Sequence, residues 1–160
     1  MTSNTRYCKK LKHFSFLAKK ELLTHYLDAD VLLVEDCKLQ QYIISQFLSN
    51  FGLSTICIGS ATEASLYIEF LSNFNIFISD IELPDKSGLN LMQAMNSYHG
   101  KKVIPSIAMS SNQNYKSKAL DIGFDIFINK PVSEQALEHA LDFLRVDLSH
   151  NNCIRSKARC

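Results

Sequence analysis

From residue 30 onward, short apolar runs rich in β-branched residues alternate five times with stretches of helical period. That is the pattern of an α/β parallel sheet. The runs are Val31 to Val34, Leu53 to Ile58, Ile76 to Ile78, Ile104 to Met109 and Ile126 to Ile128. Their nearly continuous hydrophobicity predicts strands covered on both faces. Between them, Leu39, Ile43, Phe47 and Phe51 recur at helical spacing, as do Ala64, Ile68 and Leu71, and then Leu89, Met92 and Met95. Each set predicts an apolar helix face laid on the sheet. Ser60 followed by Glu63 forms a capping box for the second helix, Gly123 suits a left-handed stop for the fourth, and Ser133 suits an N-cap for the fifth, with Val132 and Leu137 spaced as a hydrophobic staple.

The chain of 160 residues has the length of one domain with short extensions. We divide it into a basic N-terminal extension with helical spacing over 1–29, a domain over 30–147 and a polar tail over 148–160. Its net charge of +1 hides an asymmetry. Residues 1–27 carry six basic side chains against Glu21, residues 28–147 carry eight Lys or Arg against 15 Asp or Glu, and the last 13 residues add Arg155, Lys157 and Arg159. The domain itself is therefore acidic, which argues against direct nucleic-acid binding. Five scattered cysteines without a CxxC pair fit a reducing, cytoplasmic setting. Neither a membrane-length apolar run nor a signal-peptide core is present. In the extension, Tyr7, Leu11, Phe14, Ala18 and Leu22 outline an amphipathic basic helix that suits an anionic membrane, a partner, the domain's own acidic surface, or simply a linker.

Two apolar runs end in acid. Glu35 and Asp36 follow Val34, and Asp80 follows Ile78 and Ser79. Open parallel sheets bind ligands outside the carboxyl ends of their strands, at a switch point that lies between the first and third strands in the flavodoxin-like order. In that order Glu35, Asp36 and Asp80 converge. Three carboxylates in one pocket repel, and without a cation one of them tends to keep its proton. Magnesium (Mg2+) suits such a cluster, because it takes oxygen ligands and is commonly held by carboxylates together with a phosphate oxygen. The fourth run leads into Ser110, a hydroxyl donor, and the fifth into Lys130, a compact cation before Pro131. A phosphoryl group at Asp80 would meet a metal, a hydroxyl and an ammonium, the set that neutralises charge during in-line transfer.

The segments VLLVED, ISDIELPDKSG, IPSIAMSS and FINKP resemble the signature blocks of bacterial two-component response-regulator receiver domains, over about residues 30 to 147. The steps of 44 residues from Asp36 to Asp80, 30 to Ser110 and 20 to Lys130 look like that family's spacing. The resemblance implies a flavodoxin-like (βα)5 doubly wound sheet of strand order 2-1-3-4-5, with the N-terminal helical extension outside it. It implies that Asp80 accepts a phosphoryl group from a phosphohistidine, with Glu35, Asp36, Asp80 and the backbone carbonyl of Glu82 as metal ligands. Ser110 would swing to bond the phosphoryl oxygen, Lys130 would pair with Asp80 before transfer, and the Lys130–Pro131 bond would be cis. Phe127 stands at the family's aromatic switch position and reads equally as plain core. Pro84 and Gly88 match the loop after the acceptor. Glu82 and Ser111 depart from the commonest residues and stand beside the phosphoryl site, which leaves the lifetime of the phosphoaspartate open in either direction.

On this reading the chain is a signalling switch rather than a turnover enzyme. Its partners are a sensor histidine kinase or histidine phosphotransfer protein and a downstream protein target, with homodimerisation through the face of helix 4, strand 5 and helix 5 as a further expectation. No output domain is expected in the remaining residues. Two other classes compete. A degenerate receiver would serve only as a constitutive interaction module, against which the intact acids, hydroxyl and lysine speak. A phosphatase with a DxD-type nucleophile would use Asp80 in DIE, but Glu82 is its second acid and Leu83 and Pro84 replace the usual glycine and threonine.

Overall fold

The computed structural model describes residues 29–100, 104–144 and 146. The readings of an N-terminal helix and of a C-terminal tail lie outside these residues. Strand β1 (Val31–Val34) leads to helix α1 (Lys38–Asn50), β2 (Thr55–Ile58), a short α2 (Ala61–Ala64) continued by a 3-10 run (Ser65–Asn73), β3 (Ile76–Asp80), α3 (Gly88–His99), β4 (Ser106–Ser110), α4 (Tyr115–Ile122), β5 (Ile126–Asn129) and α5 (Glu134–Leu144). All four strand pairings are parallel, in the order β2-β1-β3-β4-β5. The doubly wound sheet is the one expected.

Side-chain alternation along the strands divides the interior into two cores. Val31 and Leu33 of β1 point into one cluster, with Ile44, Leu48, Ile76, Ile78, Leu137 and Leu141. Leu32 and Val34 point into the other, with Ile68, Leu71, Phe77, Leu89, Met92 and Met95. A period of two puts successive residues on opposite faces, so only a strand that is apolar at every position can feed both cores. The central strands β1, β3 and β4 are buried throughout, whereas β2 and β5 lie at the edges and are half-covered.

The expected caps form. Ser60 accepts from the Glu63 backbone N–H at 3.2 Å, Gly123 stops α4 at φ +118°, and Ser133 accepts from the Ala136 N–H at 3.1 Å. Ser87, not singled out in the sequence, caps α3 by accepting from the Leu89 N–H. One helix face differs from expectation. The buried residues of α1 are Gln41, Ile44 and Leu48, while Leu39 is 65% exposed and Ile43 38%. A stripe read in steps of four advances 400° per step, so it drifts about 40° each time around the helix. Its early members Leu39 and Ile43 consequently face outward, and only Phe47 and Phe51 approach the core.

Candidate functional site

Register brings the acids together. Val34 pairs with Ser79, so Glu35 and Asp80 leave adjacent strands side by side. Glu35, Asp36 and Asp80 each offer a carboxylate oxygen, all within 4.8 Å of one another. Glu35 and Asp80 are buried, and Asp36 is exposed at the mouth. Gln41 explains how α1 approaches so polar a strand end. Its amide nitrogen donates to the Glu35 carbonyl and, at 3.4 Å, to the Ile58 carbonyl, while Lys38 Nζ donates to its oxygen at 2.9 Å. A buried polar group is tolerated where its hydrogen bonds are made. Sequence reading missed Gln41, whose only signal was a polar residue on the face that proved to be the inward one.

Lys130 lies between the two buried acids, with Nζ 2.6 Å from Asp80 Oδ2 and 2.7 Å from Glu35 Oε2. It is delivered there by the end of β5, where its backbone N–H donates to the Ser110 carbonyl at 2.9 Å and the bond to Pro131 is cis. Burial works against the ammonium, but hydrogen bonding and charge from Asp80 and Glu35 outweigh it, holding its pKa above the ordinary lysine value. At Glu35 burial prevails. It pushes that carboxyl above the usual 4.5 despite the hydrogen bond and charge of Lys130, and Asp80 adds repulsion in the same direction.

The remaining ligands of Asp80 come from its own loop. Its Oδ1 accepts from the Glu82 backbone N–H at 3.0 Å. The loop is then tied down twice. The Gly88 N–H and the Ser87 hydroxyl both donate to the Ile81 carbonyl, at 2.9 and 3.1 Å. Asp85 accepts from the N–H groups of Ala61 and Thr62 at 3.0 and 2.7 Å, joining the loop to α2. Gly88 is required by proximity. A Cβ there would lie 2.1 Å from the Asp80 carbonyl oxygen.

Ser110 is fully buried at the end of β4, with its hydroxyl 3.0 Å from Glu82 Oε2. Ser111 is exposed and lines a groove with Lys130 and Pro131. Phe127 is half-buried against the core that contains Phe77 and Phe124. Among the described residues, no helix is long and apolar enough to cross a membrane.

An all-oxygen cluster with one lysine is suited to a hard divalent cation and a phosphoryl group, and the spread of 4.8 Å lets one ion reach all three acids. The response regulator receiver domain family matches residues 31–142. The Aerobic respiration control sensor protein ArcB of Escherichia coli (strain K12) is 27% identical over 110 residues, covering 68% of this chain. The chain spans only 14–15% of the length of the first curated relatives it matches. Two solved structures share the fold. The receiver domain of sensor histidine kinase PA1611 from Pseudomonas aeruginosa PAO1, with magnesium coordinated in its active-site cleft, superposes with a TM-score of 0.63 at 21% identity, covering 72% of this chain and 96% of that one. The receiver domain of the Saccharomyces cerevisiae response regulator Ssk1, crystallised with the histidine phosphotransfer protein Ypd1, gives 0.62 at 24%, covering 76% and 93%. With its strand order, its acidic strand ends and 112 of its residues matched, the chain belongs to the response regulator receiver domain family of two-component signalling.

Proposed function

We propose that this chain, through a receiver over residues 30–147, accepts a phosphoryl group from a phosphohistidine onto Asp80 and thereby switches its binding to other proteins. The observation that carries this reading is the position of Lys130, bonded at once to Asp80 and Glu35 beside Asp36. In the transfer, an Asp80 carboxylate oxygen forms a bond to phosphorus as the phosphorus–nitrogen bond to the donor imidazole breaks, and the imidazole nitrogen retains the electron pair. Lys130 orients the carboxylate and offsets charge on the transferred group, and Ser110 donates to a phosphoryl oxygen. Glu35, Asp36, Asp80 and the Glu82 carbonyl would hold Mg2+, which supplies charge neutralisation at the phosphoryl oxygens. No substrate is turned over beyond the chain's own phosphorylation and dephosphorylation.

The donor reaches Asp80 from the open end of the sheet. Beside it, Leu39, Tyr42 and Ile43 expose apolar surface on α1, next to a groove of about 300 Å³ lined by Ile43, Ile44, Lys130, Pro131 and Val132. Exposed apolar groups rimmed by charge suit a protein partner. The co-crystal of Ypd1 with the Ssk1 receiver supports a sensor kinase or phosphotransfer protein in that role. The output face is assigned to α4, β5 and α5, where Leu120 and Phe143 are exposed and Phe127 is half-buried, either toward a downstream target or toward a second copy.

Incubation with magnesium and acetyl phosphate or phosphoramidate, read by intact mass, tests the proposal. A single base-labile phosphoryl adduct that disappears in Asp80→Asn is expected. A missing adduct, or one that survives the substitution, would overturn it.

A further inference from the structure

Ser110 has one hydroxyl proton to give. Its oxygen already accepts from the Asn112 backbone N–H at 3.0 Å, and its proton is directed to Glu82 Oε2, also at 3.0 Å. Among the described residues, its one further acceptor is the Asn112 carbonyl, more distant at 3.5 Å. Glu82 is an exposed residue, so no packing forces its carboxylate to that spot, and the two residues lie 28 positions apart in the chain. The same Glu82 donates its backbone N–H to Asp80 Oδ1. One residue therefore touches the acceptor with its main chain and the switching hydroxyl with its side chain.

We propose that Glu82 is a positioning residue that holds the Ser110 hydroxyl in the resting orientation, so that activation at Asp80 proceeds by exchanging the Ser110–Glu82 hydrogen bond for one from Ser110 to the phosphoryl oxygen. This rests on the phosphoacceptor reading and adds a cost to the switch that the acids and lysine do not impose. Removing the Glu82 carboxylate frees Ser110 and favours the activated state. The gain is about three- to tenfold, the net worth of one intramolecular hydrogen bond.

A carboxylate beside a phosphoryl group also repels it, so the experiment separates the two effects. The affinity for beryllofluoride, a phosphoryl mimic, is measured with magnesium in the wild type, Glu82→Ala, Ser110→Ala and the double variant. The latch requires Glu82→Ala to tighten binding about three- to tenfold with Ser110 present, and to change it less than twofold in the Ser110→Ala background. Equal tightening in both backgrounds identifies plain repulsion and overturns the latch, as does no tightening in either. A second readout is the Ser110 Cβ resonance. It differs between wild type and Glu82→Ala without ligand and converges once beryllofluoride is bound, because the hydroxyl has then left Glu82 in both proteins. A difference that persists in the bound state overturns the exchange. A wild type that forms no beryllofluoride adduct overturns the phosphoacceptor reading and the latch with it, whereas an adduct indifferent to Glu82 overturns the latch alone.

Discussion

Replacing Gly88 by alanine tests how tightly the acceptor strand is held. The added Cβ would stand 2.1 Å from the Asp80 carbonyl oxygen, 2.9 Å from Ser79 Oγ and 3.0 Å from the Asp80 carbonyl carbon. Real Cβ atoms keep at least 3.0 Å, so helix start and strand end must separate by about 0.9 Å. The atoms met first are backbone, which cannot rotate away as a side chain would. Forcing a methyl group into such a contact costs roughly 1–3 kcal/mol of stability. Because the moved residue is the nucleophile itself, a displacement near 1 Å slows phosphorylation by about 10²-fold. Gly59→Ala is the matched control near the same pocket. Its Cβ would meet only the ends of Lys38 and Gln41, at 3.9 and 4.0 Å. Denaturant midpoints and the initial rate of phosphorylation by acetyl phosphate would be compared across the three proteins. Gly88→Ala retaining wild-type stability and rate would refute the close approach. A loss of stability with an unchanged rate would refute its connection to Asp80, because α3 alone would then have moved.

Lys130→Met leaves Glu35 and Asp80 facing each other without their shared cation, and chemical denaturation at neutral pH is expected to show a loss of roughly 3 kcal/mol, as when one partner of a buried ion pair is removed. Adding Glu35→Gln to that variant should recover much of the loss, and no recovery would show that repulsion is not its cause. Glu35, raised above 4.5 chiefly by burial, binds more protons folded than unfolded, so in metal-free protein its contribution to stability is fully present below pH 4.5 and is lost as pH rises through the folded pKa. Magnesium binding should correspondingly strengthen across that window and release protons, measurable by calorimetry in buffers of different ionisation enthalpy; an affinity independent of pH there would contradict the placement of Glu35 in the site. Ser133→Ala removes the acceptor for the Ala136 N–H and should cost about 1 kcal/mol without changing the phosphorylation rate, by denaturation and kinetic assay respectively.

Much of this molecule is local and was therefore legible along the chain. Strands that are apolar at every position announce burial on both faces, and a carboxylate directly after such a strand has to emerge at the sheet's open end. Glu35 and Asp36 follow from that, and Asp80 from its place at the end of the run closed by Ser79; that the three meet depends on strand order. Caps at Ser60 and Ser133 and the left-handed stop at Gly123 are also short-range, each decided within three or four residues. The inward face of α1 was misread for a geometric reason: a spacing of four drifts around the helix, and the tertiary contact chose Gln41, Ile44 and Leu48 instead.

The amino-acid sequence by itself determined the five-fold alternation, the acidic strand ends, and the hydroxyl and lysine that follow the last two strands. It could not reveal which oxygen each of these groups would meet. That Lys130, expected beside Asp80, also meets Glu35 95 residues away, and that the Ser110 hydroxyl donates to Glu82, was decided by tertiary structure. Strand ends far apart in the chain become neighbours only through sheet order and register, and hydrogen bonds form at fixed distances of about 3 Å that no spacing along the sequence encodes.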